Sequence, residues 1–105
     1  MKTESKAALC RLVGVLLLTD GHLTDREHSF FYALMDRLGL DDDDRASVTH
    51  GIRIDADVSS DVAIVKAAGD GEALLEAMVD ASVLDGEVSA ASTDLIERAK
   101  ALLAS

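Results

Sequence analysis

Apolar residues recur at helical spacing in successive stretches of this chain, separated by short polar breaks. Leu9, Leu12, Val13, Leu16 and Leu17 fall at i, i+3, i+4, i+7 and i+8, the spacing of one face of a helix. Val15 and Leu18 widen the stripe and polar residues thin out after Arg11. The pattern predicts a first helix over about Thr3 to Leu18, central and buried on most sides. Phe31, Leu34 and Leu38, flanked by Phe30 and Met35, predict a second helix over about Asp25 to Leu38, with Gly39-Leu40 as a left-handed cap and its apolar follow-on contact.

Shorter elements follow. Asp41 to Asp44 suit an N-cap and acidic first turn for a third helix, about Asp42 to His50. Ile52, Ile54, Ala56 and Val58 alternate with Arg53, Asp55 and Asp57, which is strand periodicity. No second strand is available for pairing, so the segment reads as an extended connection with its apolar side on the core. Ser59 or Ser60 is expected to cap a short fourth helix, about Asp61 to Ala68, and Asp70 a fifth, about Glu72 to Leu84, with Leu74, Leu75, Met78, Ala81 and Leu84 as its apolar set. Leu95, Ile96, Ala99, Leu102 and Leu103 mark a sixth, about Ser89 to Leu103. The expected fold is all-α, a compact bundle of about six helices in one domain over residues 1–105.

Two of the breaks resemble each other. Asp20-Gly21-His22-Leu23-Thr24 and Asp85-Gly86-Glu87-Val88-Ser89 place Asp, Gly, an apolar residue and a hydroxyl residue at the same offsets, 65 residues apart. Gly accepts positive φ and Asp bonds nearby backbone, so each is a tight turn. Thr24 and Glu27 have capping-box spacing. With the same offset Leu9 meets Leu74, Val13 meets Met78, Leu18 meets Val83, Phe31 meets Ile96 and Leu38 meets Leu103. The bundle is therefore read as two related helix–Asp-Gly turn–helix hairpins joined by the third and fourth helices.

Charge narrows the partners. The chain of 105 residues carries 20 acidic and 10 basic residues, a formal charge of −10. That disfavours nucleic acid, whose phosphates need Lys/Arg clusters, and an anionic membrane surface. Basic proteins and metal cations suit it better. Lys2 and Lys6 precede an apolar run, but Arg11 interrupts it and no small-x-small cleavage site follows. The stretch from Leu12 to Leu18 is far shorter than the about 20 residues that span a bilayer. A cytoplasmic protein without direct membrane insertion is expected. The single cysteine, Cys10, excludes an internal disulfide and reads as a small buried side chain.

The chemistry-bearing candidates are carboxylates. Asp20, Glu27, Asp85 and Glu87 bring oxygen ligands together if the two turns meet, a set suited to Ca²⁺ or Mg²⁺; the competing reading is that each only completes a turn or cap. Asp55, Asp57, Ser59 and Asp61 follow the odd positions of an EF-hand loop, but Ser60 stands where that loop needs Gly and Lys66 where it needs Glu,. No Gly-rich phosphate loop, G-x-S-x-G or His-x-x-x-His is present, and His28 beside Glu27 points about 100° away from it on a helix. No enzyme is expected. Val15, Phe30 and Met35, left over from the main stripes, are candidates for a partner groove.

An apolar helix, Asp-Gly-x-apolar-Thr-x-x-Glu, a helix ending Leu38-Gly39-Leu40 and a second helix–Asp-Gly–helix together resemble the TerB family of tellurite-resistance proteins. The matching stretches are Leu16 to Leu40 and Leu74 to Leu103. The resemblance implies an all-α bundle without catalytic activity, working in tellurite-resistance or stress systems through metal sensing and docking to membrane-linked partners. It carries the family's acidic positions onto Asp20, Glu27 and Asp85, while Ser92 stands where a second Glu is expected. Beside this stands a purely structural or adaptor protein without a metal site, which a homodimer would fit, with the acidic turns serving only as caps.

Overall fold

A computed structural model of the chain describes residues 1–18, 24–52, 58–84 and 89–105. Six helices form among them: α1 (Thr3–Leu17), α2 (Asp25–Leu38), α3 (Asp42–Gly51), α4 (Val58–Ala67), α5 (Gly71–Ser82) and α6 (Ala90–Ala104). No strand forms among the described residues. The radius of gyration is 12.4 Å, against about 12.9 Å for a single domain of this length.

α1 is the centre, packing against all five other helices and most extensively against α4. From Ala7 to Leu17 every residue except Arg11 is buried, so the expected stripe has become a whole circumference. Gly14 lets neighbours come close: a Cβ there would stand 2.8 Å from Ile52 Cγ1 and 3.4 Å from Phe31 Cζ. Phe31, Leu34 and Met35 of α2 are buried, as are Val62 and Val65 of α4, Leu74 and Met78 of α5, and Ile96 and Ala99 of α6.

The helix ends follow local chemistry. The Thr24 hydroxyl accepts from Glu27 N–H (3.2 Å) and Glu27 Oε1 accepts from Thr24 N–H (3.0 Å), a complete capping box. Asp41 accepts from Asp44 N–H at 2.8 Å, so the first of the four aspartates caps α3. Gly39 ends α2 at φ 73°, with Gly39 N–H on Asp36 O and Leu40 N–H on Met35 O, and Leu40 is buried. Gly69 repeats this after α4 at φ 78°, with Gly69 N–H on Lys66 O and Asp70 N–H on Val65 O. A left-handed cap of this kind satisfies carbonyls the helix would leave bare.

Three expectations about helix starts and segments change. α4 begins at Val58, placing Ser59 and Ser60 inside its first turn instead of at its cap. Val58, Val62 and Val65 are all buried, and this i, i+4, i+7 spacing extends the helix back past the serines. Asp70 precedes α5 but makes no side-chain cap, because its carboxylate accepts from the Ser5 hydroxyl at 2.7 Å. Of the extended connection, Ile52 packs against the core and Val58 is buried within α4; residues 53–57 lie outside the described residues, as do both Asp-Gly turns.

Four of the five residue pairs set by the 65-residue offset are alike in burial. Leu9 and Leu74, Val13 and Met78, and Phe31 and Ile96 are buried as pairs, and Leu38 and Leu103 are both half-buried. Leu18 and Val83 differ, the first half-buried and the second exposed. α1 packs on α2 as α5 packs on α6, and Ser5 bonds its own counterpart, Asp70.

Between Ala7 and Leu17, Arg11 is the one break in the buried surface of α1, and Asp61 answers it. Its Nε donates to both Asp61 oxygens (3.1 and 3.2 Å), and its second nitrogen lies 2.9 Å from Oδ1. The side chains are 19% and 17% exposed, so removing one partner leaves a charge that water reaches poorly. Arg11→Met is expected to lower stability by about 1–3 kcal/mol. Arg11→Met with Asp61→Leu is expected to recover most of that loss, and urea unfolding of the two variants and the wild type checks both.

Candidate functional site

The first turn of α2 is the described part of the expected acidic site. Glu27 is 5% exposed, an unusual depth for a carboxylate, which ordinarily requires a partner. Its partner is the Thr24 N–H that it caps. At the corresponding start of α6, Ser89 takes the place of Thr24 and Ser92 that of Glu27. Ser92 N–H donates to Ser89 Oγ at 3.0 Å, and Ser89 Oγ in turn donates to Ser92 Oγ at 3.0 Å. A buried hydroxyl thus stands where the first unit has a buried carboxylate. Both helix starts have a hydroxyl cap, but α2 carries Asp25 and Glu27 in its first turn and α6 carries no acidic residue there.

Arg26, beside Glu27, reaches across the fold. Its guanidinium donates to Leu84 O at 2.9 Å, tying the start of α2 to the end of the α5 unit. Leu84 is the residue before Asp85. Of the four expected ligands, Asp20, Asp85 and Glu87 lie outside the described residues; Glu27 is described and occupies a cap. No group of three or more His, Cys, Asp or Glu side chains converges on a point among the described residues. The run Asp41 to Asp44 is consistent with this, for Asp41 is bound into a cap and Asp42 and Asp43 are exposed. In the EF-hand-like series, Ser59 and Asp61 sit on α4 and Asp61 is paired with Arg11.

The expected partner groove is corrected. Val15 and Met35 are 5% and 1% exposed. Val15 is enclosed because α1 is surrounded by the other helices. Met35 belongs to the main stripe of α2, since Phe31, Leu34, Met35 and Leu38 fall at i, i+3, i+4 and i+7. Phe30 is half-buried and lines a shallow hollow with Ala33, Leu34 and Arg37. The large exposed apolar side chains among the described residues are Met1, Tyr32, Val79 and Val83. Tyr32 stacks on His28, ring centroids 6.1 Å apart, which places His28 in an exposed ring pair. Val79 and Val83 were hidden in the sequence because they lie one turn apart beside the buried stripe of α5.

No helix among the described residues is long and apolar enough to cross a membrane. Set against protein-family models, curated proteins and solved structures, the chain matches none.

Cys10 is buried, as expected. Burial pushes its thiol from 9.0 up to about 12, against the opposing pull of the Arg11 and Arg45 charges. The thiolate is the nucleophile, so the folded protein is expected to resist a disulfide reagent at pH 8 and to react once unfolded in urea. The same shift sets a pH dependence. The folded state keeps this proton to about pH 12 while the unfolded chain loses it near 9, so stability is full below pH 9 and falls above it. Between these limits the wild type is expected to lose up to about 1.4 kcal/mol more per pH unit than Cys10→Ala, measured as urea midpoints across that range.

Proposed function

We propose that the chain is a non-catalytic, TerB-like binding module of a cytoplasmic tellurite-resistance or stress-response system. It binds a divalent cation, Ca²⁺ or Mg²⁺, through its acidic Asp-Gly turns and docks partner proteins. The observation that carries the reading is the Arg26–Leu84 bond. It holds together the start of α2, which bears Glu27, and the end of the α5 unit, which leads into Asp85. They are one described flank of each acidic turn. The caps support the same reading, for the repeated motif has a repeated structural role at Thr24 and Ser89.

One observation favours the alternative, an adaptor without a metal site. Glu27 Oε1 is already engaged by Thr24 N–H, and a carboxylate used as a cap contributes about 1 kcal/mol without any cation. In that reading the acidic turns complete helices and function resides in an exposed surface.

Thermal melting separates the two. Millimolar Ca²⁺, Mg²⁺ and Mn²⁺ are added to the wild type, Asp20→Asn and Glu27→Gln. A cation that binds only the folded state stabilises it by about 2.7 kcal/mol at a hundredfold excess over its dissociation constant. The proposal expects this rise in the wild type and its loss in both variants. Gln retains a capping oxygen, so Glu27→Gln is expected to melt near the wild type without cation. A wild type that shows no rise beyond charge screening leaves the adaptor reading standing.

A further inference from the structure

The outer face of α5 combines apolar and acidic rows in a way that no described neighbour uses. Leu75, Val79 and Val83 follow one another at i, i+4 and i+8. Leu75 is half-buried and the two valines are 45% and 49% exposed. Glu72, Glu76 and Asp80 form a second row of the same spacing, all exposed, displaced by about 60° around the helix. Between Gly71 and Leu84 there is no Lys, Arg or His. The apolar row continues at its first end into an open groove of about 400 Å³, lined by Leu75, Leu103 of α6, Gly69, Gly71 and Glu72. Lys66 also lines that end, and its ammonium is held by the Ser105 carbonyl.

We propose that this face of α5 receives a basic amphipathic helix of a partner protein. The proposal rests on the docking half of the function proposed above and is independent of cation binding. The partner's apolar side covers Leu75, Val79 and Val83 and closes on Leu103, while its Lys or Arg residues face Glu72, Glu76 and Asp80. Helix-in-groove recognition uses anchors at this spacing, and complementary charge fixes register and speeds encounter. A second copy of the chain is a poorer occupant. Pairing this face with itself sets one acidic row against another, between chains that each carry a formal charge of −10, and such juxtaposition is unfavourable. Anionic membranes and nucleic acid are repelled for the same reason.

The test uses the intact chain and a fluorescent synthetic peptide of about 18 residues, Leu on one helical face and Lys on the other, with a scrambled peptide of equal composition. Anisotropy is expected to show the amphipathic peptide binding at least about tenfold more tightly than the scrambled one. Val79→Ser with Val83→Ser, and separately Glu76→Gln with Asp80→Asn, are each expected to weaken binding by at least about tenfold. Asp42→Asn with Asp43→Asn removes the same charge elsewhere and is expected to leave it within about twofold. All these positions are exposed, and melting of each variant checks the fold. Amide shifts in the labelled protein are expected along 72–83. Equal weakening by the Asp42 and Asp43 pair, or full binding by the α5 variants, overturns the proposal. So does a wild-type dimer in sedimentation that the Val79 and Val83 pair abolishes. Shifts that map to another helix overturn it while leaving a docking module in place, and a failed cation-melting experiment leaves this result untouched.

Discussion

Burying α1 on every side removes from its middle any group that needs water, and the rest of the fold follows from that demand. Small and branched side chains, Ala8, Cys10, Val13 and Gly14 among them, let five helices approach one axis. The remaining helices are asymmetric by comparison. α3, with Val48 as its buried residue, is largely a solvated strut, while α4 presents Val58, Val62 and Val65 to the core. Arg11 is the exception in the middle of α1, and Asp61 answers it across α4 with a two-pronged contact. That pairing fixes the rotation of α4 about its axis more narrowly than apolar packing does, because guanidinium and carboxylate match in only a few geometries.

Polar groups that are buried cluster at helix ends. Ser5, Glu27, Ser82 and Ser92 are the buried polar residues among those described. Ser5 binds Asp70, Glu27 closes the α2 cap, Ser82 bonds back to Val79 O, and Ser92 shares the α6 cap with Ser89. Each meets backbone or side-chain polarity that a helix terminus leaves exposed. The middle of the core is left to apolar side chains, the Cys10 thiol and the Met35 and Met78 thioethers among them.

Much of this is legible in the sequence, and the boundary is physical. Local chemistry is readable: the Thr24–Glu27 box, the Asp41 cap and the Gly39 turn each depend on residues a few positions apart. Contacts between distant residues are not. Nothing near Arg11 announces Asp61, fifty positions away. Ser5–Asp70 is an intermediate case, since its separation equals the 65-residue offset and a repeat whose counterparts meet would bring those two residues together. The start of α4 was obscured because serines suit both a cap and a first turn. Val15 and Met35 illustrate the opposite error: a residue outside the simplest stripe still becomes core when the helix is enclosed or the stripe is wide. Of the carboxylates read as ligands, Glu27 lies among the described residues, and its role as a cap was already present in its spacing to Thr24.

The central position of α1 also bears on how the chain is made. Synthesis releases α1 before any of the five helices that enclose it, so the apolar surface from Ala7 to Leu17 stays uncovered while the later helices are still being translated. α6, the last of them, packs mainly on α4 and α5, and of the five it packs least on α1. Apolar helix surface left uncovered in this way favours aggregation until the covering helices arrive.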